Sequence, residues 1–269
     1  MPRKVSLEKS RPYSTAVEQN SRFLKSAGLK DAGPTETPNA EECVAEFSGV
    51  SKSYTTGRVQ FQALRNISCR IPKGQTSYIF GPSGSGKTTF LNLLGVIDRP
   101  DSGSVTILGT RVCELSDSAA ADFRLRHIGY IFQNFNLIPV LNALENVEYI
   151  LLRRGLSPRE RRERAENYLQ AVGLGDLMKR RPGELSGGQR QRVAIARALA
   201  GEPSIIVADE PTANLDSRTT GEIVELMQRM QDDLKTTFVL CTHDIDLING
   251  SGSLLRIVDG QIDHTERLS

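Results

Sequence analysis

At 269 residues, with 38% hydrophobic and 25% charged side chains, the chain has the size and balance of a globular protein built on one large α/β domain. A net charge of +2 provides no broad positive field for binding nucleic acid, so no nucleic-acid partner is expected. The four cysteines form no C-x-x-C pair and the histidines do not cluster, which excludes a zinc ribbon or a disulfide framework and suits a reducing compartment.

Residues 1–42 are rich in Lys, Arg, Ser, Thr, Pro and Glu with scattered apolar positions, and read as a disordered tail ahead of a folded domain over 43–269. The start of the chain lacks the apolar core of a signal peptide, and no run approaches the roughly 18 apolar residues of a spanning helix. Any membrane role is therefore expected to pass through another chain. From Val44 the pattern turns strand-like. Asn66–Ile71 alternates and stops at Pro72-Lys73-Gly74, and Ser104–Gly109 alternates again, as half-exposed antiparallel strands do.

Between these two strands lies Gly81-Pro82-Ser83-Gly84-Ser85-Gly86-Lys87-Thr88, which fits the P-loop spacing G-x-x-x-x-G-K-[ST]. A short apolar strand, Ser77–Phe80, precedes it, and a helix over Thr88–Leu94, beginning with Thr88 and Thr89, follows. A glycine-rich turn between strand and helix lets backbone N–H groups surround phosphate oxygens while the positive end of the helix dipole faces the same anion. Lys87 then reaches the outer phosphates and Thr88 offers its hydroxyl to Mg²⁺. Nucleoside triphosphate binding is the expectation.

Further along, Ser116 or Asp117 can cap a helix through Arg126, and Ile128–Phe132 reads as a buried strand. The stretch of about 136–181 is helical in composition. Within it, Asn142 caps one helix, and Ser157-Pro158-Arg159-Glu160 opens another with a capping box and a proline at its first position. Six arginines, Arg153, Arg154, Arg159, Arg161, Arg162 and Arg164, alternate there with Glu160, Glu163 and Glu166, the pattern of a solvated, ion-paired face. A helix over 186–199, a strand over 204–208, a helix over 217–234, a strand over 237–241 and a hairpin at Asp259-Gly260 complete the chain.

Two of these boundaries carry chemistry. The apolar run Ile205–Ala208 ends in Asp209-Glu210, which places one carboxylate at the carboxyl edge of a parallel sheet beside the P-loop, where Mg²⁺ belongs. Glu210, pointing elsewhere, is the candidate to take a proton from attacking water. In Leu185-Ser186-Gly187-Gly188-Gln189, Ser186 caps the coming helix and Gln189 reaches back. The two glycines in that first turn open its backbone to a phosphate. This second phosphate surface cannot be the P-loop's own, so two copies of the chain are expected to sandwich each nucleotide.

Here the sequence resembles the ATP-binding-cassette (ABC) ATPases: Leu185–Gln189 and the following Arg190–Leu199 match that family's signature motif and helix, and the resemblance spans roughly 44–265. It implies an α/β fold with a RecA-like P-loop NTPase core, an antiparallel β subdomain and an inserted helical subdomain. It makes Tyr54 the aromatic that stacks on adenine, and Gln133 the glutamine that touches Mg²⁺ and the attacking water. It makes Asp216, in Asn214-Leu215-Asp216, a dimer-interface residue, and His243 the contact to the γ-phosphate. Glu210, His243, Gln133 and Lys87 would form the catalytic set. ATP and Mg²⁺ are the implied cofactors, and a second copy plus an integral membrane permease the implied partners, on the cytoplasmic side of the membrane. Gln133–Pro139, Leu144–Val147, Leu156–Arg161 and Ala208–Ser217 look most like the lipoprotein-releasing and macrolide-exporting (LolD- and MacB-like) group. Ala213, Val96 and Ile97 depart from that group's usual residues. Division or wall-remodelling ATPases and solute importers are the alternatives within the family. A soluble cassette acting on ribosomes or DNA fits less well, since the chain holds one cassette and no long heptad run.

Overall fold

Side chains alternate between two apolar clusters along the central strands, so one sheet is covered on both faces. The computed structural model describes residues 43–57, 59–243, 248 and 252–268; the expected tail over 1–42 lies outside the described residues. In chain order the first elements are β1 (Cys43–Thr56), β2 (Val59–Pro72), β3 (Thr76–Phe80), α1 (Lys87–Leu94), β4 (Ser102–Ile107), β5 (Thr110–Arg111), α2 (Asp117–His127) and β6 (Ile128–Ile131). There follow α3 (Ala143–Arg153), α4 (Pro158–Ala171), α5 (Gly187–Ala200), β7 (Ile205–Asp209), α6 (Ser217–Leu234), β8 (Thr237–Thr242), β9 (Gly252–Val258) and β10 (Gln261–Leu268).

The six-stranded sheet runs β10-β9-β3-β8-β7-β6, parallel except for β10. On β7, Ile205 and Val207 face one cluster and Ile206 and Ala208 the other; on β8, Val239 and Cys241 oppose Phe238 and Leu240 in the same way. A strand buried on both faces has no polar side to show, which is why Ile205–Ala208 reads as an unbroken apolar run. One face is covered by α3, α4, α5 and α6. The other carries α1 and the antiparallel sheet β2-β1-β4-β5, joined where Phe47 stacks on Phe90 at 4.4 Å between ring centroids.

Helix starts follow the local chemistry read from the sequence. Ser116 Oγ accepts from Ala119 N, Asn142 and Glu145 close one capping box, Ser157 and Glu160 another, and Pro158 occupies the first helical position of α4. Two expectations need correction. The fourth strand is shifted to Ser102–Ile107, because Leu108 and Gly109 turn the chain with positive φ. In the stretch of helical composition from about 136, the first helix begins at Ala143 with Asn142 as its N-cap, as expected. Before it, Phe135 and Asn136 are left-handed, and the fully buried Asn146 holds the loop through Ile138 N, Ile138 O, Leu141 O and Asn142 O. The arginine face is only partly solvated: Arg162 pairs with Glu166 and Arg164 with Glu202, but Arg154 turns inward and donates to Gly201 O at the end of α5.

Phe90 is fully buried between the two sheets. Phe90→Ala should therefore lower unfolding free energy by about 3–5 kcal/mol in urea titration, the range for emptying a buried aromatic site. A loss below about 1 kcal/mol would mean that the P-loop helix is not anchored by this contact.

Candidate active site

The residues expected to meet phosphate lie at the carboxyl ends of neighbouring strands, because β3, β8 and β7 are adjacent in the sheet. After β3 the chain forms the loop Gly81–Gly86. Gly86 is the N-cap of α1, with φ 105° and no side-chain cap, so the first N–H groups of the helix are left for a ligand. Lys87 is buried, and its Nζ donates to Gly81 O at 2.7 Å and Pro82 O at 2.9 Å. The ammonium is held by carbonyls rather than a carboxylate, so its charge remains available to an anion. Ser85 Oγ is buried without a hydrogen-bond partner, while Ser83 and Gly84 lie at the exposed tip.

At the end of β7, Asp209 Oδ1 accepts from Thr88 Oγ1 at 3.4 Å. Burial raises the Asp209 carboxyl above its ordinary value and the neighbouring Glu210 adds to this, against the opposing pull of Thr88 and Lys87. A half-buried carboxylate beside a hydroxyl suits Mg²⁺, which takes one or two protein oxygens and completes its shell with phosphate and water. Glu210 then breaks the strand with φ +43°, a left-handed conformation that costs a non-glycine residue energy and recurs where chemistry needs a particular direction. Its backbone N–H donates to Cys241 O, and its carboxylate turns to His243 Nδ1 at 3.1 Å. Asp209 and Glu210 are thereby aimed apart, as the sequence suggested. Glu210 is three-quarters buried, while His243 is 60% exposed.

Gln133 sits two residues past β6 with its side chain exposed, and its carbonyl accepts from Asn214 Nδ2 at 3.0 Å. The same amide donates to Asn134 Oδ1. Arg197, from the last turn of α5, donates to the carbonyls of both left-handed residues, Asn136 at 2.5 Å and Phe135 at 2.9 Å; burial lowers its pKa to about 10. Sequence reasoning missed Arg197, although a lone charge among Ala194-Ile195-Ala196 and Ala198-Leu199 was a signal that it serves something inside.

A second surface forms where α5 and α6 begin side by side. Ser186 Oγ accepts from Gln189 N, and Gln189 Oε1 accepts from Ser186 N at 2.9 Å, closing the anticipated capping box. Asp216, exposed, caps α6 by accepting from Thr219 N at 3.0 Å and Thr219 Oγ1 at 2.7 Å, which holds its carboxyl below the usual range. Gly187 and Gly188 have an internal reason beside the phosphate one: a Cβ on Gly188 would clash with the methyl of Thr219, and one on Gly187 would lie 3.3 Å from Leu215. The polar partners of these residues are thus one another, not the P-loop. Tyr54 is half-buried on β1, its hydroxyl donating to Asp98 Oδ2 at 2.8 Å. Thr89 also bonds that phenol.

A family model for the ABC transporter matches residues 64–213, which include the P-loop, Asp209-Glu210 and the Ser186–Gln189 turn. The chain belongs to the ABC transporter family. The cassette is similar to an uncharacterised ABC transporter ATP-binding protein of Thermotoga maritima, 46% identical over 83% of this chain and 95% of that one. It is also similar to the lipoprotein-releasing system ATP-binding protein LolD of Colwellia psychrerythraea, 43% identical over 81% of this chain and 85% of that one. Among solved structures it superposes on a dimeric, post-hydrolysis ATP-binding cassette of Methanocaldococcus jannaschii bound to ADP and Pi. There the TM-score is 0.77, with 41% identity over 84% of this chain and 99% of that one. The cassette is an ATPase of the P-loop NTPase fold, the ATP-binding subunit of a transporter. Among its described residues no helix is long and apolar enough to cross a membrane.

Because the folded cassette holds the Asp209 proton to higher pH than an unfolded chain does, its stability falls as pH rises from the ordinary value of 3.8 through the raised folded value. Asp209→Asn removes that term. The variant should melt above the parent at about pH 7 without nucleotide, and the gap should close toward about pH 4. A gap that widens on acidification would show the carboxylate to be stabilised by the fold instead.

Proposed function

We propose that two copies of this cassette close head-to-tail around ATP and drive an integral membrane permease that exports a lipid-linked, peptide or drug-like cargo. The observation that carries the proposal is the division of the phosphate-binding equipment. Lys87, Thr88, Asp209, Glu210 and His243 share one sheet edge, while Ser186–Gln189 and Asp216 lie at the starts of two helices, where Ser186 bonds Gln189 and Asp216 bonds Thr219. Each nucleotide needs the first set from one copy and the second from the other. The dimeric arrangement of the Methanocaldococcus cassette and the lipoprotein-releasing role in the name of the Colwellia relative support this reading. The cassette would then work at the cytoplasmic face of the membrane, held there by its permease.

In the proposed cycle Tyr54 stacks on adenine, and the backbone of the Gly81–Thr89 loop, through its N–H groups other than at Pro82, takes the phosphates with Lys87. Thr88, Gln133 and Asp209 would hold Mg²⁺, which would supply neutralising charge to the phosphates. Glu210 accepts a proton from the attacking water, and His243, 3.1 Å away, fixes that carboxylate and contacts the γ-phosphate. Ser186, Gly188 and Asp216 of the second copy complete the enclosure. Closure carries the helical stretch of about 136–181 and the Gln133 loop against the permease, and hydrolysis reopens the pair.

Glu210→Gln should lower ATP turnover by roughly 10²- to 10⁴-fold, the usual worth of a general base. With Mg-ATP the same variant should sediment as a dimer. Turnover within about threefold of the parent would remove Glu210 from the role of base. A persistent monomer at high protein concentration would count against the sandwich.

A further inference from the structure

A nucleotide has two ends, and the P-loop fixes only one of them. The other is assigned to Tyr54, which lies on a part of β1 with little support of its own. The ladder between β1 and β4 ends at Ser51–Ser102, and from Lys52 to Thr56 the strand has β2 as its ladder partner. A two-stranded ribbon on its own is marginal in water. Beside Tyr54 on the partner strand, Phe61 is 51% exposed, with its ring centroid 5.7 Å from that of the tyrosine. Packing alone does not set where the Tyr54 ring stands.

Polar contacts to the turn after α1 do set it. Tyr54 donates its hydroxyl to Asp98 Oδ2 at 2.8 Å, and Lys52 Nζ donates to Asp98 Oδ1 at 2.8 Å and to Arg99 O at 2.7 Å. Lys52 also lies 3.5 Å from Asp101 and 5.3 Å from the centroid of the Tyr54 ring. Ser53 N donates to Asp101 Oδ2 at 2.6 Å, and Asp101 N to Ser51 O at 2.9 Å. The turn is in turn tied to the P-loop helix: Ile97 N and Asp98 N both donate to Asn92 O. Burial pushes the Asp98 carboxyl up, but the hydrogen bonds from Lys52, Arg99 N–H and Tyr54 outweigh it and leave it below its usual value.

We infer that Asp98, with Lys52, is a positioning residue that braces the Tyr54 ring against the C-terminal end of the P-loop helix, so that one rigid link sets the distance between the adenine platform and the phosphate cradle. This inference rests on the stacking role proposed for Tyr54. Preorganisation of this kind raises affinity by removing the ordering that binding would otherwise require. Asp98 acts on the base end of the ligand and leaves the phosphate end alone, which separates it from a general structural residue.

The test compares Tyr54→Ala, Tyr54→Phe, Asp98→Ala and the double variant Tyr54→Phe/Asp98→Ala. Each is read by KM for ATP and by the inhibition constant of inorganic tripolyphosphate, a ligand without a base. Tyr54→Ala should raise KM on the order of tenfold, the scale of one lost base stack. Tyr54→Phe, which keeps the ring and loses the hydroxyl's bonds to Asp98 and Thr89, and Asp98→Ala should each raise KM about three- to tenfold, the scale of one ordinary hydrogen bond. The double variant should fall short of the sum of the two single effects, and tripolyphosphate inhibition should hold within about twofold throughout, since interacting sites are not additive and the phosphate end is untouched. If Tyr54→Ala raises KM while Tyr54→Phe and Asp98→Ala match the parent, stacking stands and the brace falls. If Tyr54→Ala matches the parent, the stacking role itself falls, and the brace with it. If Asp98→Ala weakens ATP and tripolyphosphate equally, the residue supports the P-loop at large and the brace is overturned.

Discussion

Lys87 buries its ammonium inside a loop whose acceptors are the carbonyls of Gly81 and Pro82. A buried cation without a carboxylate partner is expensive, and only oriented dipoles offset it. Keeping it there requires a loop that curls tightly over the end of β3 and a helix that starts at once. Both follow from the left-handed Gly86 at the N-cap of α1. The result is a concentrated positive potential, from side chain and helix dipole together, at one point of the sheet edge. The acids answer that potential from the strands beyond: Asp209 at the end of β7, Glu210 turned aside, and His243 after β8.

The loop is also shaped from behind. A Cβ on Gly81 would clash with Ile257 O of β9, and one on Gly86 would lie 2.5 Å from Ala63 O of β2. Gly260, in the hairpin between β9 and β10, donates its N–H to Ser85 O and leaves no room for a Cβ against Ala63 O at 2.7 Å. These glycines therefore answer to neighbouring backbone as well as to phosphate. The glycine pattern in the sequence records two constraints at once, and only the folded chain separates them.

A comparable double duty joins α5 to the loop beyond β6. Its N-terminus presents Ser186, and Arg197 three turns later grips the left-handed Phe135 and Asn136, while the Arg190 guanidinium lies 5.1 Å from the Phe135 ring. Asn214 holds Gln133 from the other side. The loop expected to sense the nucleotide is thus tied to the helix proposed to face the second copy and to the loop that leads into α6. Packed cores respond to such ties by discrete shifts rather than gradual strain, which suits a cassette that must convert a phosphate contact into movement.

What the sequence determined by itself was local in origin. Capping boxes, the P-loop spacing, the two-faced apolar run before Asp209-Glu210 and the hairpin at Asp259-Gly260 were readable because each depends on residues a few positions apart. The stretch over 136–142, ahead of the helix that Asn142 caps, is the complementary case. Its composition is helical, yet buried Asn146 and the distant Arg197 hold it as a loop. Arg154 turned inward, and Asp98 and Lys52 gathered beneath Tyr54, 44 residues away in the case of Asp98. Tertiary structure alone decided these placements, because a charged or polar side chain takes whichever partner the fold brings within 3 Å, and periodicity along a chain carries no record of that distance.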